Sequence, residues 1–242
     1  KTVNDLKLVE SKENAVIEKL KMIREAEIVF QEVNGRYTSD WDSLLNFIKN
    51  GQVAIIERRE ELIQKEYGGE EVIVHIDTLG FTPARERIFK ETFNVNAADD
   101  GIFMGFKIKE GERAVKNQRG YSLKIGEKIS EPPFTEDGFV SSMANINVGD
   151  PVTKGQILMS IWDYKFKPDV DLDRIAYKPG SDVKFDIFVG KVDRGGLMVD
   201  VIEVKDPKPD NPFRSEANDA KNRKPLRFGS RTDVSTSGNW ES

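Results

Sequence analysis

Neither glycine nor proline occurs between Lys1 and Asn34, so the opening of this chain can form one long helix that any fold must accommodate. The spacing predicts that helix from about Asp5 to Asn34. Val9, Val16, Leu20, Ile23 and Phe30 recur at helical intervals, while Glu10, Lys12, Glu18, Lys19 and Lys21 supply a polar side. Glu13 and Glu27 fall beside the apolar stripe. That interruption argues against a continuous coiled coil and for a helix lying on a sheet. Asn34-Gly35 is the expected stop.

A second helix follows at once. Ser39 is the expected cap, answered by Asp42 three residues on, and Trp41, Leu44, Leu45 and Ile48 make one apolar face before Gly51 ends it. The pattern then changes to period two. After Gly68-Gly69, Val72, Val74 and Ile76 alternate with Ile73, His75 and Asp77. Thr82-Pro83 is placed to open a short helix through Phe89. Ile102, Met104, Phe106 and Ile108 alternate again, and Val183, Phe185, Ile187 and Val189 lead through Asp193-Arg194-Gly195-Gly196 into Leu197, Val199 and Val201, a hairpin. From Asp206 onward, Pro207, Pro209, Pro212 and Pro225 punctuate a polar stretch that taken alone reads as a mobile tail.

The expected fold is therefore α+β: a long N-terminal helix and a short second helix packed on mainly antiparallel β-sheet, with an extended C-terminal tail. The expected segments are a helical region over 1–51, a first β-rich segment over 52–97, a β-rich elaboration over 98–168, a β-hairpin region over 169–205 and an extended polar tail over 206–242.

Composition removes several classes of function. The net charge of −5 gives no general basic field for nucleic acid, and no cysteine is present to supply a thiolate or a disulfide. No apolar run approaches the roughly 20 residues that span a bilayer. The chain opens on Lys1 rather than methionine, so a segment upstream of it, a signal peptide or an anchor, is expected.

Catalytic and metal-binding patterns are equally sparse. His75 is the only histidine, and its place between Val74 and Ile76 gives it a structural or surface role. Asp169, Asp171 and Asp173 form a D-x-D-x-D string, but Arg174 and Gly180 stand where a calcium loop needs glycine and glutamate, so a solvated strand edge is expected. No G-x-S-x-G elbow, no G-x-x-x-x-G-K-[ST] loop and no G-x-G-x-x-G turn appears. The stretch from Val148 to Leu158 is similar to the second half of a biotinyl or lipoyl carrier domain. Its spacing from Ile146 to Gly149 is short for that pattern and no Met-Lys or Asp-Lys acceptor precedes it, so an ordinary β-turn-β is expected. The chain is read as a non-enzyme, with no catalytic, cofactor-binding or metal-ligating residues and no nucleic-acid partner.

Two regions carry a resemblance. One contains Ile23-Arg24-Glu25-Ala26-Glu27, Gly35-Arg36-Tyr37-Thr38, Trp41-Asp42-Ser43-Leu44 and Ile76-Asp77-Thr78-Leu79-Gly80-Phe81. The other contains Phe185-Asp186, the Gly195-Gly196 hairpin, Leu226-Arg227-Phe228-Gly229-Ser230 and Gly238-Asn239-Trp240-Glu241. Together they resemble an uncharacterised family of single-pass membrane proteins from Bacteroidota, with a membrane segment before an extracytoplasmic domain. Residues 94–167 lie outside that resemblance. The first region also resembles, more loosely, the start of pseudopilins, where a long helix continues out of the membrane.

The resemblance implies an inner-membrane anchor and a domain facing the periplasm. The leading expectation is a non-enzymatic structural or assembly subunit of a bacterial cell-envelope complex, pilin-like or secretion- or motility-associated. Its partners would be other protein subunits, itself among them. The alternatives are an extracytoplasmic glycan- or peptide-binding domain or carboxylate-based hydrolase, and a phage structural protein. Trp240, Asn239, Arg227 and Phe228 are the candidate interaction residues, with Trp240 either an anchor for a partner or a closure onto its own domain.

Overall fold

The computed structural model describes residues 3–65, 68–166 and 170–241. The fold is α+β, and the chain divides into two compact units, 1–88 with 169–242 and 89–168. Residues 52–97 therefore contribute to both units.

Helix α1 (Val3–Asn34) starts within two residues of its predicted position. Val16, Leu20, Ile23 and Phe30 are buried as the stripe predicts, and Ala26 and Val29 join them. Val9 stays partly exposed, and Leu6 and Leu8 face solvent. Despite its 32 residues α1 is too polar to cross a membrane, and no helix among the described residues is long and apolar enough to do so.

Helix α2 (Trp41–Asn50) is capped by Asp40 rather than Ser39. Asp40 stands immediately before the first helical residue with an extended backbone, so its Oδ2 accepts from Ser43 N at 3.0 Å and Ser43 Oγ at 2.5 Å. Ser39 is one residue too early to reach those donors. The buried face is Leu44, Phe47 and Ile48, with Phe47 meeting Phe30 of α1 edge to face at 5.2 Å.

Strands β1 (Gln52–Gln64) and β2 (Glu70–Pro83) form an antiparallel hairpin that joins no larger sheet among the described residues, and α3 (Ala84–Phe89) follows.

The second unit is all β. Its strands are β3 (Lys90–Asn96), β4 (Gly101–Phe106), β5 (Arg113–Ala114), β6 (Tyr121–Ile125), β7 (Lys128–Ser130), β8 (Gly138–Met143), β9 (Pro151–Val152) and β10 (Ile157–Tyr164). They make two four-stranded antiparallel sheets, β3-β10-β8-β5 and β7-β6-β4-β9, around one core containing Phe103, Tyr121, Leu123, Val140, Leu158 and Ile161. Tyr121 ties the unit together: its hydroxyl donates to the Asn96 carbonyl and accepts from Ala98 N, each at 3.0 Å. The carrier-like stretch forms β9, a turn with Gly155 at φ 83°, and β10.

In the first unit, Asp171 and Asp173 do not form the expected strand edge. Asp171 caps a single 3-10 turn, Leu172–Arg174, by accepting from Asp173 N, and Asp173 pairs with Lys49 of α2. A short side chain that accepts from the backbone two residues on favours a turn over an extended chain. Asp169 lies outside the described residues. Strands β11 (Asp186–Arg194), β12 (Leu197–Lys205) and β13 (Arg227–Gly229) form a three-stranded antiparallel sheet in that order, and α1 packs against α2 and β13.

Candidate functional site

The β1–β2 hairpin is the part of the first unit that its own core does not explain. Thirteen and fourteen residues long, it buries only Val53. An isolated two-stranded hairpin is marginal in water, and unpaired strand edges ordinarily invite a partner. Both outer edges of this hairpin are unpaired among the described residues.

Register decides what each face presents. Residues paired across an antiparallel ladder project to the same face. Leu62 pairs with Val72, Glu60 with Val74, Arg58 with Ile76, Ile56 with Thr78 and, beyond a bulge at Leu79, Ala54 with Phe81. One face therefore carries Leu62, Val72, Val74, Ile76, Ile56 and Phe81, all exposed, with Phe81 at 67% and Ile76 at 65%. Within that apolar strip the only charges are Arg58 and Glu60, 3.0 Å apart, while Gln64 and Glu70 close it at the tip.

The opposite face is more polar, although Ile55, Ile63 and Ile73 also lie exposed on it. Arg59 pairs with Asp77 at 2.6 Å, His75 Nε2 lies 3.0 Å from Glu61 and Lys65 lies 3.0 Å from Glu71. The lone histidine thus belongs to a solvated charge ladder. The hairpin is an amphipathic arm whose apolar side is open.

The four residues singled out near the C-terminus sit together, but turned inward. Phe228 is fully buried on β13. Arg227 lies 3.3 Å from Glu203 and 2.5 Å from Glu216. Burial raises the Glu216 carboxyl, and hydrogen bonds from Arg227 and Lys205 more than reverse that, leaving it below the usual carboxylate range. Asn239 Oδ1 accepts from Arg227 N at 3.0 Å, while its Nδ2 donates to the Lys221 and Pro225 carbonyls, each at 3.0 Å. Trp240 lies under Arg24 of α1, whose guanidinium is 5.7 Å from the ring centre. All four close the tail onto its own unit.

The rest of the tail is pinned too. Lys178, with a side chain only 7% exposed, meets Asp206 at 3.1 Å and Asp210 at 2.7 Å. The Lys178 hydrogen bond holds the Asp210 carboxyl below its ordinary range. Glu13 of α1 binds Arg214 and, at 3.1 Å, Asn211. A stretch that reads as mobile from its prolines is held by ion pairs to partners far away in sequence.

A cleft of about 230 Å³ opens beside this segment, lined in part by Lys221, Lys224, Arg227 and Asn239. Its two carboxylates are already engaged, Asp233 with Arg194 and Glu241 with Arg24. The most perturbed acid is elsewhere. Glu27 of α1 is fully buried, accepts from Thr38 N at 3.1 Å through Oε2, and leaves Oε1 without a hydrogen-bond partner. Burial raises its pKa to about 8, against the opposing Thr38 N–H. It does not line that cleft and fastens the loop between α1 and α2. No cluster of three histidine, aspartate or glutamate side chains suited to a metal occurs among the described residues.

Sequence reasoning missed the open face because it needs both strands. Residues 57–61, Glu-Arg-Arg-Glu-Glu, hide the strand character of β1. Pairing Leu62 with Val72 across the Gly68-Gly69 turn would have aligned Ile56, Val74 and Ile76 on one side. No protein-family model matches the chain, and comparison with curated proteins gives no match.

Proposed function

We propose that this chain is a non-enzymatic assembly subunit that acts through protein–protein contacts, with the β1–β2 arm as its main docking element. The observation that carries this reading is the arm's open apolar face, from Phe81 through Ile56, Ile76 and Val74 to Leu62. Contiguous exposed apolar surface of that kind marks interaction sites, because leaving it in water forgoes the free energy of burial. Roughly 25 cal/mol is recovered per Å² of apolar surface covered, before the costs of association.

Placement in a bacterial envelope complex rests on the resemblance of residues 17–89 and 175–242 to anchored extracytoplasmic proteins. In that setting an inner-membrane anchor would precede the chain, the arm would project from a domain in the periplasm, and the partners would be other envelope subunits. The tail contributes by stiffening the body that presents the arm, since Trp240, Asn239, Arg227 and Phe228 all face inward.

Replacing Ile56, Ile76 and Phe81 together with serine tests the reading, since all three lie outside the core. The variant should fold as the parent does, yet elute from native envelope extracts at a smaller particle size. An unchanged particle size would rule the arm out as the docking element.

A further inference from the structure

The pattern of charge on the arm specifies its occupant. Resting on the docking role proposed above, we infer that the apolar face is covered by the same face of a second copy of this chain, packed with strands antiparallel. Arg59 and His75 are register partners at the centre of the strip, and both project to the polar side. About that centre the apolar face is balanced. On β1, Glu60 and Arg58 lie one residue either side, then Leu62 and Ile56 at three, then Gln64 and Ala54 at five. On β2, Val74 and Ile76 flank the centre, with Val72 and Thr78 beyond and Glu70 and Phe81 outermost.

A twofold axis lying in the contact plane, perpendicular to the strands, exchanges the members of each pair. Arg58 then faces Glu60 of the second copy, Glu60 faces its Arg58, Leu62 faces its Ile56, and Val74 faces its Ile76. Those four contacts are matched in character, whereas further out Val72 faces Thr78 and, at the ends, Phe81 faces Glu70. The other face-to-face twofold, with its axis along the strands, stacks β1 on β2. It sets Arg58 on Ile76 and Glu60 on Val74, leaving charges buried against methyl groups, which is costly. Pairing two arms edge to edge would satisfy open backbone groups but leave the apolar face in water. Of these, only the first arrangement both covers the face and pairs its central charges, Arg58 and Glu60.

The size of the contact sets its strength. A strand of 13 residues runs about 40 Å at ~3.3 Å per residue, and two strands are about 10 Å wide. Each copy therefore offers about 400 Å², and the pair buries about 800 Å², below the roughly 1,200 Å² of a standard stable interface. The self-association is accordingly reversible and concentration-dependent.

Sedimentation velocity on the full chain over a range of concentrations, with charge-reversed variants, tests this. Arg58→Glu places glutamate against Glu60 of its twin, and Glu60→Arg places arginine against Arg58. Each alone should shift the monomer–dimer midpoint at least tenfold to higher concentration. An equimolar mixture of the two should dimerise again, because one arm is then doubly acidic and the other doubly basic. Both positions are well exposed in the isolated chain, so circular dichroism should show the fold unchanged. A parent chain that stays monomeric to its solubility limit, or a dimer indifferent to both reversals, would overturn the self-pairing. Loss of particle size in the serine variant would in either case still stand for the arm as a docking element, with a different partner.

Discussion

Arg24 of α1 reaches the far end of the chain: its guanidinium lies 5.7 Å from the Trp240 ring and 2.7 Å from Glu241 Oε1. Burial alone would raise the Glu241 carboxyl, and the hydrogen bonds from Arg24 and Gly238 N more than reverse that. The Trp240 Nε1 is buried with no hydrogen-bond partner, so the indole contributes by packing rather than by its N–H. Trp240→Ala should therefore lower the stability of the first unit by about 1–3 kcal/mol, while Trp240→Phe costs much less. Urea denaturation followed by circular dichroism measures both. Equal midpoints for the parent and the alanine variant would show that the tail is not fastened there.

Glu27 predicts a pH dependence of definite sign. Its folded pKa of about 8 lies above the ordinary 4.5, so folding takes up a proton between those values. Its contribution is fully present below the unfolded value and is lost as pH rises through the folded one. Glu27→Gln, which cannot ionise, should gain melting temperature relative to the parent steadily from about pH 5 to about pH 8 and level off above that. A constant difference across that range would mean that Glu27 is not held neutral in the fold.

Lys178 and Asp206 are both nearly inaccessible, with side chains 7% and 3% exposed. Removing one partner strands the other charge, so Lys178→Met should cost about 3–5 kcal/mol. Asp206 also accepts from Lys208 N through Oδ1, which asparagine can reproduce. Adding Asp206→Asn to Lys178→Met should recover part of the loss, as a double-mutant cycle in denaturant would record. Strict additivity of the two losses would contradict the pairing.

Gly229 ends β13 at φ 80°, and a Cβ there would collide with the Ile202 carbonyl of β12. Gly229→Ala should destabilise the first unit by more than about 2 kcal/mol, combining backbone strain with a displaced ladder. Thermal melting of the purified variant is the check, and a melting temperature equal to the parent's would contradict the account.

The helices were legible because their signals are local. Leu44 and Ile48 of α2 repeat at helical spacing, and Val16, Leu20, Ile23 and Phe30 mark the inner face of α1. The cap was misplaced by one residue because Ser39 and Asp40 are both good capping types, and only backbone geometry chooses between them. The tail was harder. Its anchors, Glu13 to Arg214 and Arg24 to Glu241, join residues about two hundred positions apart, and no periodicity announces such pairs. The arm's face was hidden for a related reason: it becomes visible only when β1 and β2 are set in register, with the bulge at Leu79 counted.

Photocrosslinking of the arm in its native envelope most directly tests the claim that its apolar face is a protein-contact surface. A photoreactive residue at Ile76, on the apolar face, should give strong crosslinks to protein, and the same residue at the adjacent Asp77, on the polar face, should give few. Equal yields at the two positions, or none at Ile76, would contradict the account.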